Sequence, residues 1–201
     1  MPEAPARAVS VLTVDRPALV IGSTQPEGLV DRAAAEAAGV EVVRRRSGGG
    51  AVLLVPGEVL WVDVVIPRVD RLWDDDVVRA SRWLGRAWAG AVGELGIRAE
   101  VGTEAPTTSP WARRVCFAGV SPGEVTVDGR KLVGVAQRRS RRGARFQCAV
   151  LRRWDPAPLL DLLALGDEER AEAGAGLAGV ATGLDRPWPL VVDALVDHLP
   201  A

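Results

Sequence analysis

Lys131 is the only lysine in a chain of 201 residues whose other 24 basic side chains are all arginine. It lies in a strand-like run, Gly129–Arg139 (GRKLVGVAQRR), between two glycines. An ammonium is a compact charge that reaches a carbonyl or carboxylate oxygen where a planar guanidinium does not fit. The retained lysine therefore points to contact with a confined oxygen; a solvated side chain beside a turn is the alternative. A second segment, Arg44–Val52 (RRRSGGGAV), joins a basic strand end to Gly48, Gly49 and Gly50. Successive glycines let backbone N–H groups converge on an anion with no side chain in the way. Arg45 and its neighbours add bidentate contacts to carboxylate or phosphate. No Gly-Lys-Ser/Thr follows, so this is not a nucleotide P-loop, and a flexible turn with solvated arginines is the alternative. Cys116 lies 15 residues before Lys131, in the tripeptide VCF. It reads either as a thiol activated by the nearby cations Arg113, Arg114 and Lys131 or as a small buried hydrophobe. Cys148, in FQCAV, reads as core.

What is missing narrows the chemistry. The sole histidine, His198, is almost C-terminal and there is no tyrosine, so Ser–His or Cys–His catalysis has no well-placed base. One histidine and two cysteines do not assemble a four-ligand zinc site without carboxylates, and no metal site is expected. Asp74–Asp76 reads as a solvated helix start rather than a cation site. A net charge of −1 argues against general nucleic-acid binding. No apolar run is long enough for a membrane span, and no signal peptide is recognisable, so a cytoplasmic setting without membrane contact is expected.

The elements that must position these residues follow from periodicity and turn chemistry. Strands are expected at Val9–Val14, Ala18–Ile21, Val40–Arg45, Ala51–Val55, Val59–Ile66 and Arg145–Leu151. Asp128-Gly129 predicts a hairpin between Glu124–Val127 and Arg130–Arg138. Helices are expected at Glu27–Ala38 and Asp74–Leu95, and from Pro156 onward with an Ala/Gly-rich interruption near 173–183. Gly102–Pro110 reads as a Thr/Pro loop. Strand pairs dominate without strict alternation with helices, which predicts an α+β domain around a mostly antiparallel sheet flanked by helices.

Taken together, Ile21–Gln25 (IGSTQ), Arg44–Val52 and Gly129–Arg139 resemble, in order, the signature segments of the lipoate-protein ligases and octanoyltransferases. Ala178–Thr182 (AGVAT) resembles a fourth block, and the likeness covers roughly residues 18–183. The resemblance implies the biotin/lipoate ligase fold, similar to class II synthetases, as one catalytic domain over residues 1–201 without a C-terminal accessory domain. It implies attachment of a lipoyl or octanoyl group to a lysine of an acidic lipoyl carrier domain, of the glycine cleavage H protein or dehydrogenase E2 type. By the same resemblance Arg45, Ser47, Gly48, Gly49, Gly50, Ala51 and Val52 line the acyl pocket and the carboxyl or phosphate end of the donor. Lys131 binds the acyl carbonyl oxygen, and Val133, Gly134 and Ala136 wall the chain.

Two routes stay open: an acyl-adenylate, with ATP and Mg as cofactors, or a thioester on Cys116, which the Cys-Phe pair resembles. Leu53–Pro56 (LLVP) replaces the aromatic and His-Asp residues found in many members. The family's N-terminal helix is also absent. A non-catalytic acyl- or lipoyl-domain-binding protein, a requirement for an accessory subunit, and a biotin-protein ligase-like activity therefore remain as alternatives. If a compact charge is what the site requires, Lys131→Arg abolishes acyl transfer while circular dichroism reports an intact fold; near-normal transfer by the variant would remove the acyl-oxygen role.

Overall fold

The run Val59–Pro67 (VLWVDVVIP), apolar but for Asp63, is buried at every position except the last. A strand tolerates that pattern only when both of its faces are covered. In this computed structural model, which describes residues 6–102 and 107–201, the run is strand β5 of a wholly antiparallel sheet. Its order is β1 (Ala8–Leu12), β5, β11 (Gly143–Leu151), β10 (Arg130–Ser140), β9 (Val125–Val127) and β6 (Glu100–Val101). A smaller sheet packs across one face: β2 (Ala18–Ile21) lies between β3 (Glu41–Arg44), parallel to it, and antiparallel β4 (Val52–Leu54). A short ribbon joins β7 (Thr107–Thr108) to β8 (Gly119–Val120). The helices are α1 (Arg32–Ala37), α2 (Arg82–Glu94), α3 (Ala157–Leu160), α4 (Asp167–Leu177) and α5 (Trp188–His198).

Alternation along β5 distributes its side chains between two layers. Leu60, Val62, Val64 and Ile66 pack with Phe146 and Cys148 of β11 against Leu84 and Trp88 of α2 and Leu195 of α5. Val59 and Trp61 face the other way, joining Ala149 and Leu151 of β11 and Val20 and Val52 of the small sheet. The expected α+β architecture with a mostly antiparallel sheet is thus observed. Among the described residues no helix is long and apolar enough to cross a membrane.

Several boundaries differ from the sequence expectation for local reasons. The helix expected from Asp74 begins at Arg82. The carboxylates of Asp74 and Asp76 instead accept the backbone N–H groups of Asp76, Val78 and Arg79, so they stabilise turns that compete with the helix. The expected Glu27–Ala38 helix divides into a single 3-10 turn and α1, which starts where the Asp31 side chain accepts the Ala34 N–H. The Ala/Gly-rich interruption starts later than expected, because α4 continues to Leu177. Part of the Gly102–Pro110 loop, residues 103–106, lies outside the described residues, and Thr107–Thr108 is strand.

Phe146 is fully buried and meets Trp83 edge-on with ring centroids 5.6 Å apart. Phe146→Ala is expected to cost about 3–5 kcal/mol of stability. Urea denaturation would read this as a lower midpoint at unchanged slope.

Candidate functional site

Asp128 and Gly129 both have positive φ (50° and 73°) and close the β9–β10 hairpin, pairing Arg130 with Val127 and Lys131 with Thr126. The register then shifts between Lys131 and Val133, a bulge of the kind that re-aims a side chain. The Lys131 backbone pairs on its other side with the fourth segment: its N–H donates to Val180 and its carbonyl accepts from Thr182. The side chain points inward and is 2% exposed.

Three oxygens surround its nitrogen. Lys131 Nζ donates to the carbonyls of Cys116 (2.9 Å) and Gly119 (3.0 Å), and stands 2.7 Å from Glu124 Oε2. Carbonyls and carboxylates only accept, so three such partners require three N–H protons and hence an ammonium. Glu124 is itself fixed, accepting from the backbone N–H of Ser121 (2.8 Å) and of Val135 (3.0 Å). The Phe117 ring centroid lies 5.3 Å from Nζ. Gly134 lies beside the lysine stem, where an added Cβ would make ordinary contact 3.4 Å from Lys131 Cε.

The glycine-rich segment approaches from the small sheet. Arg45 is buried and folds over its own loop, donating to the carbonyls of Gly48 and Gly50. Gly49 has φ of 101°, in the region that favours glycine. A Cβ on Gly50 would stand 2.5 Å from the Val115 carbonyl carbon and 2.6 Å from the Cys116 nitrogen. The bare backbone is what lets Ala51 pair with this segment, accepting from Cys116 N–H and donating to the Arg114 carbonyl. The first segment reaches the same place: the Gln25 amide donates to the carbonyls of Arg113 and Arg114 and accepts the Gly22 N–H.

A cleft of about 410 Å³ results, lined by Arg45, Gly48, Gly49, Gly50, Arg113, Cys116, Glu124, Lys131, Ala136 and Gln137, among others. Not every expected residue faces it. Ala51 and Val52 line a separate cavity of about 440 Å³ with Leu53, Val115, Phe117 and Trp154. Ser47 is buried and donates to Gln147 Oε1 at 2.7 Å. Gly134 packs against Lys131 and Phe117. Val133, expected to wall the acyl chain, instead belongs to the main core, because alternation places it on the face opposite Gly134 and Ala136. Leu53 and Val55, from the altered segment after the glycines, line the second cavity.

Glu124 and Gln25 are the functional candidates that residue-type reasoning missed. Gln25 lay inside a recognised segment without a role. Glu124 had a usable signal, since the hairpin register across Asp128-Gly129 brings the start of the first strand beside the run after Lys131.

The two cysteines differ sharply. Cys116 is partly exposed on the cleft, whereas Cys148 is fully buried, and burial pushes its thiol up to about 12. Iodoacetamide at neutral pH is therefore expected to alkylate Cys116 alone in the native protein and both thiols after denaturation, as peptide mass spectrometry would show.

Comparisons with known proteins give the family and the fold. The family described as the lipoyl protein ligase A/B catalytic domain matches residues 2–187. Octanoyltransferase LipM from an Exiguobacterium species is 31% identical over 167 residues, which are 78% of this chain and 58% of that relative. The chain thus spans little more than half the length of the curated relative it matches. A bi-partite lipoate protein ligase from Thermoplasma acidophilum, studied with its E2 lipoyl domain, superposes with a TM-score of 0.76 at 20% identity, over 96% of this chain and 69% of its own. Lipoate-protein ligase A bound with ATP gives 0.72 at 20% identity, over 98% and 72% of the two chains. These structural matches establish a shared fold.

Proposed function

The chain belongs to the lipoyl protein ligase A/B catalytic-domain family, and from that premise we propose that it transfers an octanoyl or lipoyl group to a lysine of a lipoyl carrier domain. The observation that carries this reading is the buried Lys131 ammonium fixed in the wall of the cleft that Cys116 also lines. Acyl transfer builds negative charge on the carbonyl oxygen, and a preorganised cation beside it is the largest single contribution such sites make.

All three ammonium protons are engaged, so an acyl oxygen reaches Lys131 by displacing a carbonyl of Cys116 or Gly119. Glu124 is held by two backbone N–H groups and stays. On the thioester route, Cys116 attacks the donor carbonyl and the donor's thiol leaves. The carrier amine then attacks the Cys116 thioester, the C–S bond breaks, and an amide forms as the sulfur regains a proton. The exposure of Cys116 on the cleft supports this route, as does the likeness to an octanoyltransferase. The triple glycine favours a second reading, in which the free acid attacks the α-phosphate of ATP, pyrophosphate leaves (Mg would balance the phosphate charge), and the carrier amine then displaces AMP from the acyl-adenylate. Gly48–Gly50 would then receive the phosphate end of the donor.

The carrier is an acidic domain of the H protein or E2 type. Arg138–Arg142 (RRSRR), where the β10–β11 hairpin turns, would steer it, since charge complementarity raises encounter rates. Its Arg139 is stacked 4.1 Å over the Trp73 ring, which gives that turn a firm base. A binding-only protein is the non-catalytic outcome of the same test.

Wild type and Cys116→Ser should be incubated with a lipoyl domain and either octanoyl carrier protein or lipoate plus ATP. The thioester route predicts loss of transfer in the variant and an acyl adduct on wild-type Cys116. Unchanged ATP-dependent transfer in Cys116→Ser selects the adenylate route. Acylation of the domain by neither donor would leave only binding.

A further inference from the structure

An activated acyl group acylates any neutral amine within reach, and the proposed reaction holds one against Lys131. If the ammonium gave up its proton, Nζ would attack the acyl carbon, the bond to sulfur or phosphate would break, and a stable amide would end the catalytic cycle. Resting on the function proposed above, we infer that Glu124 is a positioning residue that keeps Lys131 a non-nucleophilic ammonium, so that the acyl group passes to the carrier lysine and not to the protein itself.

The geometry carries this. A neutral amine has two N–H protons and a lone pair, yet Nζ faces three oxygens that only accept, at 2.7, 2.9 and 3.0 Å. Its lone pair would have to point at one of them. The carboxylate is the nearest of the three acceptors, and it is held so that it does not turn away: Ser121 N–H binds Oε2 and Val135 N–H binds Oε1. The pair is deeply buried, with side chains 2% and 6% exposed, so water does not take over the role of either partner. Exchange of one carbonyl for the acyl oxygen leaves three acceptors around the nitrogen and preserves the charge.

The rest of the cleft follows the same logic. Its other basic lining residues, Arg45 and Arg113, are arginines, whose guanidinium does not lose its proton in proteins. Apart from His198, every other basic side chain in the sequence is arginine as well. Apart from the chain's α-amino group, Lys131 is therefore the single amine open to misdirected transfer, and Glu124 is the residue that disarms it.

The test compares wild type with Glu124→Gln in two arms, each without a lipoyl domain. In one arm the protein meets the N-hydroxysuccinimide ester of octanoic acid; in the other, octanoyl carrier protein. Cleavage after arginine and mass spectrometry then report hydroxylamine-resistant octanoyl amide on the Lys131 peptide, with the α-amino group as internal reference in the ester arm. Wild type is expected to show none at Lys131. Glu124→Gln is expected to form it in both arms, and Glu124→Asp, which restores the charge, to suppress it again. A folded Glu124→Gln that stays unmodified in the ester arm, or a wild-type Lys131 that labels like the α-amino group, would overturn the inference. If octanoyl carrier protein acylates neither protein while the ester arm behaves as expected, the thioester route fails and the role of Glu124 stands. Should Glu124→Gln not fold, ¹⁵N-lysine labelling of the wild type still decides, because the chain yields a single Nζ resonance. A protonated NH3 signature supports the inference and a neutral amine sinks it.

Discussion

The Lys131–Glu124 ion pair is the constraint around which the site is arranged. Taking both charges out of water costs several kcal/mol each, recovered only when geometry is good and the remaining lone pairs and protons are satisfied. Here they are: the carboxylate takes two backbone N–H groups, and the ammonium takes two backbone carbonyls. Removing either partner leaves an uncompensated buried charge, a change that costs about 3–5 kcal/mol in such pairs. The pair therefore ties the hairpin, the turn at Cys116–Ala118 and the turn at Ser121 into one unit. A buried carboxylate that is itself fixed keeps the ammonium in place.

That unit is joined to the small sheet through backbone rather than side chains. Gln25, Ala51 and Lys131 come from three separate segments, and each uses a carbonyl of the short stretch from Arg113 to Cys116. With its carbonyls engaged from three directions, this stretch is placed to hold Cys116 at one side of the cleft. The main chain of Gly50 passes so close to it that a single added carbon would collide. The glycine run thus serves to bring two backbones together as well as to leave room for a ligand.

The same stretch separates two cavities. Cys116 faces the cleft with Lys131, while Val115 and Phe117 face the second cavity with Leu53 and Trp154. Cys116 and Phe117 open a single 3-10 turn after the extended Val115, and that turn aims neighbouring side chains into different cavities. Of the departure at Leu53–Pro56, which in sequence raises doubt about catalysis, Leu53 and Val55 line this second cavity, whose lining does not include Lys131.

Much was legible in the chain alone. The lone lysine, the glycine run and the Asp128-Gly129 hairpin are local signals with local causes, and their order carried the family resemblance. The strands were readable because alternation and turn residues are properties of neighbouring positions. What the chain did not disclose depends on distant partners. That Lys131 meets Glu124 and two carbonyls, that Val133 turns into the core while Ala136 faces the cleft, and that Cys116 is accessible while Cys148 is sealed all follow from a bulge and from sheet packing. Asp74–Asp76 shows the reverse case, in which a plausible helix start is overruled by side-chain hydrogen bonds to nearby N–H groups. Sequence by itself determined which chemical groups are present and which backbone shapes they favour; only the tertiary structure decided which oxygens surround the one ammonium, because that environment is assembled from segments that are strangers in the chain.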